Sequence, residues 1–166
     1  MSLIKQLALL GLLALAGCGW HSVYGTMGDN GDKVAANLNN IAIANIADRN
    51  GQMLRNDLMD RLYGKERPEH PRYTLTVKLT YSTEDLGILA NATATRSLMN
   101  MQADYIMTGP DGKDVLRGAA HSVASFDRLD QMYATVASQD DAYNRTIHEV
   151  SEQIVNRLSL YFSERQ

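Results

Sequence analysis

Apolar and polar residues alternate without interruption from Tyr73 to Ser82. Tyr73, Leu75, Val77, Leu79 and Tyr81 stand against Thr74, Thr76, Lys78, Thr80 and Ser82. A period of two predicts a strand with one buried face and one face in water. Thr95 to Thr108 repeats the pattern, with Met99, Met101, Ala103, Tyr105 and Met107 on one side. Methionine fills irregular gaps, so this stripe reads as core. Val115 to Phe126 predicts a third strand, lined by small residues. Between the last two lies Gly109-Pro110-Asp111-Gly112. Proline presets one dihedral there and glycine supplies a positive φ, which makes a tight turn and an antiparallel return.

The period changes on both flanks. Tyr143, Ile147, Val150, Ile154, Leu158 and Tyr161 recur at spacings of three and four, which predicts a long amphipathic helix. Ser138 with Asp141 three residues on resembles a capping box and places the start of that helix. Asp127 to Ser138 shows no clear pattern. Upstream, Asn39 to Ile46 predicts a short strand with Ile41 and Ile43 on one side. Asp48 or Asn50 can cap a helix through Gln52 to Tyr63, with Met53, Leu54, Leu58 and Leu62 as its stripe. Gly64 is placed to end it. Lys65 to Arg72, with two prolines, reads as a loop.

The order β-α-β-β-β-α predicts an α+β fold: a two-layer sandwich, two helices on one face of a four-stranded mixed sheet. The first strand pairs parallel with a meander strand by way of the first helix. Leu86 to Ala92 joins two long strands yet is apolar. Either the strands extend and this segment enters the core, or it is an exposed apolar tip.

Cys18, the one cysteine, changes the reading of the N terminus. It closes Leu15-Ala16-Gly17-Cys18 after a ten-residue apolar run, Leu7 to Ala16, that follows Lys5. The run is too short to span a bilayer. The tetrapeptide looks like a lipobox, the recognition sequence of bacterial lipoproteins. By that resemblance residues 1–17 are a signal peptide, and the Cys18 thiol takes a diacylglyceryl group. The new amine is then acylated. Three acyl chains exceed what stable anchoring requires. By resemblance to enterobacterial lipoproteins, the lack of Asp after the cysteine implies sorting to the outer membrane. Residues 18–38, rich in glycine, read as a lipidated irregular tether, and 39–166 as a single domain.

Of the 16 basic residues only Lys5 precedes the cut, so the mature chain has 15 against 19 acidic ones, net −4. Mild acidity argues against a nucleic-acid partner, and an anionic ligand would need a local basic site. His21, His70, His121 and His148 have no metal-ligand spacing. His148-Glu149 begins like a zincin motif, but Glu152 stands where the second histidine belongs. No nucleophile elbow or phosphate loop is present. The chain therefore reads as non-enzymatic, with no cofactor besides the lipid on Cys18. An anchored hydrolase would need a site that the sequence does not supply.

Several segments together resemble the LPS-assembly lipoprotein family, LptE. They are Gly17-Cys18-Gly19-Trp20-His21, Ser125-Phe126-Asp127, Gln131-Met132-Tyr133-Ala134, Asp141-Ala142 and Glu152-Gln153-Ile154-Val155-Asn156-Arg157-Leu158. The resemblance implies two helices on a four-stranded sheet, as read above. It also implies a plug in the lumen of an outer-membrane LPS translocon barrel, LptD-like, which helps that barrel assemble and binds LPS. Its implied basic sites fall here on Ile88 to Asn91, which holds no base, and on the region of His121 and Ser122. Arg96 and Arg117, nearby, are chosen for chemistry, because arginine matches phosphate in a bidentate way. The competing reading is a different outer-membrane lipoprotein, an adaptor in barrel assembly or transport.

Overall fold

The alternating segments fold as the three long strands of an antiparallel meander in the computed structural model, which describes residues 29–63, 67–88, 94–129 and 131–165. The strands are β1, Ile41–Ile43, β2, Tyr73–Ile88, β3, Ala94–Thr108, and β4, Asp114–Asp127, adjacent in that order. The helices are α1, Asp29–Leu38, α2, Asp48–Tyr63, and α3, Met132–Ser163. β1 pairs parallel with the start of β2. The connection runs through α2, because parallel neighbours need a crossover of that length. The α+β architecture is the predicted one, with one helix more.

Register runs unbroken from Thr74 opposite Thr108 to Leu86 opposite Arg96. It aligns Leu75 with Met107, Val77 with Tyr105, and Ala103 with both Leu79 and Ala120. All of these face the helices. Met99, Met101 and Met107 expose no surface, so the methionine stripe is core. The turn forms as expected: Gly112 adopts φ 75°, its N–H reaches Gly109 O at 3.0 Å, and the Gly109 N–H reaches Lys113 O at 2.8 Å. A Cβ on Gly118 would collide with the Tyr105 ring, so glycine is what lets that buried ring close on β4.

α3 lays Ile147, Val150, Ile154, Leu158 and Phe162 on the sheet. Thr146 and Ser159 are buried beside them. Their hydroxyls donate to the Ala142 and Val155 carbonyls at 3.0 and 2.8 Å, so these small polar groups pack closely without a lost hydrogen bond.

Three expectations are corrected. The stretch read as an irregular tether ends in a helix, α1, whose Leu38 is buried and whose Val34 packs against the core. Glycine-rich composition hid it. Asn40 ends α1 by donating from Nδ2 to Ala36 O at 3.0 Å, and its carbonyl accepts from Arg72 and Tyr73, which opens the β1–β2 pair. Second, α3 begins at Met132, so Ser138 is not its cap. Ser138 Oγ accepts instead from the Asp127 N–H at 3.2 Å. Thr135 does the local work, bonding both the N–H and the carbonyl of Leu129 at 2.9 Å. Third, α2 starts at Asp48, four residues earlier than the stripe shows, with Asp48 itself at φ 70°. The strands do extend to Ile88 and from Ala94, but Leu86 is 40% exposed rather than core. Cys18, Gly64 and residues 89–93 lie outside the described residues.

Leu158 exposes no surface, so Leu158→Ala is expected to cost about 2–5 kcal/mol, a large part of a typical total of about 5–15 kcal/mol. Exposed Glu164→Ala is expected to be near neutral. Equal chemical-denaturation midpoints for the two variants would refute this placement of the core.

Candidate functional surface

The helices occupy one face of the sheet, so the reverse face stays in water. It carries Thr76, Lys78, Thr80, Ser82 and Glu84 from β2, Gln102 and Asp104 from β3, and Ala119 and His121 from β4, all exposed. Arg96, Arg117 and His121 share this face, as strand parity requires. They are not brought together. Arg117 and His121 are four positions apart on β4, about 13 Å, and Arg96 pairs across from Asp127, about 20 Å beyond His121.

Each arginine also has a carboxylate. Arg96 Nε donates to Asp127 Oδ1 at 3.2 Å, with both side chains more than half exposed. Arg117 Nη2 donates to Asp114 Oδ2. Such exposed pairs contribute about 0–1 kcal/mol each, so an incoming anion displaces the carboxylate at little cost. The His121 ring is exposed on the same face.

The end of the sheet nearest the β2–β3 connection holds a second group that the sequence did not reveal. Arg128 Nη1 donates to both Asp85 oxygens at 3.0 Å, and buried Ser97 donates from Oγ to Asp85 Oδ1 at 2.7 Å. The Ser97 hydroxyl, and after it Arg128, holds the Asp85 carboxyl below its ordinary range. Beside it Leu129, Met132, Tyr133 and Val136 are exposed, Tyr133 by 90%. The first ten residues of α3 bury no side chain. The sequence hides this: Met132 and Val136, eleven and seven residues before Tyr143, fall on the same helical stripe as Tyr143, yet both are exposed.

On the outer side of the helix layer, α2 and α3 enclose an open groove of about 620 Å³ lined by residues that include Met53, Asp60, Asn144 and Glu152. One end is cross-linked. Asp57 accepts from Arg61 Nε at 2.8 Å and lies 3.1 Å from His148 Nδ1, while Arg61 Nη2 lies 2.9 Å from His148 Nε2. Nδ1 as donor and Nε2 as acceptor satisfies all three. Partial burial raises the Asp57 pKa, but Ser151, Arg61 and His148 together outweigh it and hold the carboxyl below its usual value. The zincin-like start of the sequence is thus a structural pairing. Among the described residues no group of three His, Cys, Asp or Glu is placed to hold a metal.

Helix side chains close two of the sheet's rims. On β4, Gln153 brackets the His121 peptide, accepting from its N–H at 3.1 Å and donating to its carbonyl at 3.0 Å. Arg145 donates to Ser125 O at 3.1 Å, and Ser138 takes the Asp127 N–H. On β1, Tyr63 donates to Ile41 O, and Arg55 Nε donates to Ile43 O at 3.3 Å. Burial pushes the Tyr63 phenol above its ordinary range, which keeps it a donor.

Residues 38–158 match a family model described as LptE, lipopolysaccharide-assembly. Among solved structures the chain is similar to one described as a lipoprotein from Caulobacter crescentus. The two are 25% identical, with a TM-score of 0.65 over 80% of this chain and 97% of that one. A minor lipoprotein from Acinetobacter baumannii shares the fold at 15% identity and TM-score 0.57, over 73% of this chain and 91% of its own. Rare lipoprotein B from Shewanella oneidensis does so at 8% and 0.56, over 72% and 93%. No curated protein matches the chain.

Because the folded pKa of Asp57 lies below its unfolded value of 3.8, its ionisation stabilises the fold above that pH. The contribution is lost as pH falls through the folded pKa. Asp57→Asn is therefore expected to be less stable than the wild type at pH 6. It should also lose stability less steeply on acidification below about pH 4. Parallel slopes across that range in urea titrations would remove Asp57 from this role.

Proposed function

The chain belongs to the LptE lipopolysaccharide-assembly family, and on that premise we propose that its mature form is an outer-membrane lipoprotein that plugs the LPS translocon barrel. In this reading it sits in the lumen of an LptD-like barrel, assists that barrel's assembly, and takes part in LPS transport to the cell surface without doing chemistry itself. The observation that carries the proposal is the family match over residues 38–158, which takes in the whole sheet and α2.

The geometry supports it in two ways. Large barrels have polar interiors, and this fold turns outward a sheet face rich in threonine, serine, glutamine and charge, with Leu86 and Val123 exposed among them. Attachment supports it too. Ten residues separate Cys18 from α1, and a chain of that length reaches at most about 35 Å. A lipid on Cys18 therefore keeps the domain beside the membrane that holds the barrel. Among the described residues no helix is long and apolar enough to cross a membrane.

The test is affinity purification from detergent-solubilised outer membrane, with depletion in parallel. One barrel that transports LPS is expected to co-purify in equal amount, and depletion is expected to leave that barrel misassembled and LPS off the surface. Cys18→Ser, in cells without the barrel and with the precursor cleaved, should leave the membrane fraction. A correctly assembled barrel and normal surface LPS after depletion would refute the proposal and favour a generic lipoprotein adaptor.

LPS binding in this reading falls on the open face, where Arg96, Arg117 and His121 offer donors to phosphate. A charge-assisted contact is worth about 1.5–3 kcal/mol. Arg96→Ala or Arg117→Ala should therefore weaken LPS binding roughly tenfold to a hundredfold while the barrel complex persists. Unchanged binding in both variants would move the LPS site elsewhere and leave the family assignment standing.

A further inference from the structure

Most of the β2 rim has no neighbour. β1 covers it only from Tyr73 to Leu75, and the Ala44 N–H ends that contact on Leu75 O at 2.9 Å. By strand parity Val77, Leu79, Tyr81, Thr83, Asp85 and Gly87 turn their backbone groups to the side that Tyr73 and Leu75 turn to β1. From Val77 to Gly87 the strand runs about 33 Å. Among the described residues nothing bonds these outward groups. The other edge strands are clamped by side chains: Tyr63 and Arg55 hold β1, and Gln153, Arg145 and Ser138 hold β4.

Edges left in water are guarded by proline, bulges or rows of lysine. β2 has no proline, one lysine, and no bulge from Thr74 to Leu86. Its two sides differ. Towards the helices Leu79 is half-buried and Tyr81 is 39% exposed, its ring edge-on to Tyr143. On the open side Lys78 and Glu84 are exposed and have no ion-pair partner among the described residues.

We propose that this rim pairs with an extended segment of the barrel partner, a connection between barrel strands that folds into the lumen. The inference rests on the plug reading above and names the contact by which the barrel holds β2. The barrel wall is excluded, because its strands bond only to one another. Connections are the barrel's source of unpaired backbone, and in some barrels they fill the lumen. The rim also sets the chemistry of the segment. Residues on the helix side, against Leu79 and Tyr81, are apolar. Those on the open side are polar, with an acid opposite Lys78 and a base opposite Glu84, about six residues apart.

In this mode main-chain bonds hold the added strand and alternate side chains select it. One copy of the chain suffices, so the domain keeps its place in the lumen. The ladder stops short of Leu75, whose carbonyl already accepts from Ala44.

The experiment is photo-crosslinking of the full chain in intact cells that make the barrel. The photoreactive residue p-benzoylphenylalanine takes the place of Thr80 or of Leu86, both exposed on the open side of β2, and adducts are mapped by mass spectrometry. Both positions are expected to reach one barrel segment outside the membrane strands, at sites about six residues apart. The same residue at Ala119, on the opposite edge strand, should miss that segment. Thr83→Pro removes one outward N–H and leaves the ladder with β3 whole. It should lower the Thr80 adduct at least about threefold, whereas Thr83→Ala keeps it. Lys78→Glu together with Glu84→Lys opposes the segment's charges and should lower the adduct at least about twofold.

Adducts scattered over the barrel, or formed with a membrane strand, a second copy or residues 18–28 of the same chain, would overturn the inference. So would equal yields from Thr83→Pro and Thr83→Ala, or a yield indifferent to the charge reversal. In each of these cases the barrel still co-purifies and the plug reading stands. Loss of the barrel from wild-type purifications overturns the plug reading, and this inference with it. If Thr83→Pro alone loses the barrel by misfolding, the spacing of the Thr80 and Leu86 adducts decides.

Discussion

Along β3 the side chains of Ser97, Met99, Met101, Ala103, Tyr105 and Met107 all point at the helices, and a slip of one residue would send every one of them into water. That one-sided burial governs the rest. It fixes the register of β2 and β4 on either side. It requires a long apolar stripe on α3 to cover the sheet, and it obliges α1 and α2 to complete the layer. Fully buried leucines on α2 and α3, Leu54, Leu58 and Leu158, are the counterpart. The reverse face has no such cover, and it is mostly polar, with Leu86 and Val123 exposed among the polar residues.

Polar chemistry on this fold is spread rather than focused. Among the described residues no buried acid or nucleophile converges on a cleft. The perturbed carboxyls, Asp57 and Asp85, are each committed to arginine and serine or histidine neighbours that hold helices and strands together. Arg96 and Arg117 on the open face are held by surface carboxylates in exposed pairs that contribute about 0–1 kcal/mol each.

The three long strands, their turn and the stripe of α3 were legible because each follows a clear period with a matching breaker. What escaped notice depended on tertiary contacts. α1 is a ten-residue helix whose stability comes from docking Leu38 and Val34, so its local sequence reads as a glycine-rich linker. The start of α3 was misplaced because Ser138 and Asp141 imitate a cap, whereas Ser138 serves β4. Arg96 and Arg117 were chosen for their chemistry and His121 from the resemblance; the fold sets all three on the exposed sheet face but apart along it. Arg128 sits in a connection without pattern, and only the fold brings it to Asp85.

The three clamps between α3 and β4 behave as marks on two rulers with different graduations. Ser138, Arg145 and Gln153 span fifteen helical steps, about 22 Å at 1.5 Å per residue. Their acceptors and donors, from Asp127 to His121, span six strand steps, about 20 Å. The two scales coincide over this interval and drift apart outside it. Substitution at any one mark leaves the others aligned, whereas inserting or deleting a single residue between marks throws the scales out of step. Sequence length within 121–127 and within 138–153, rather than sequence identity, is thus what this part of the molecule cannot vary, whereas the connection between them lies on neither ruler.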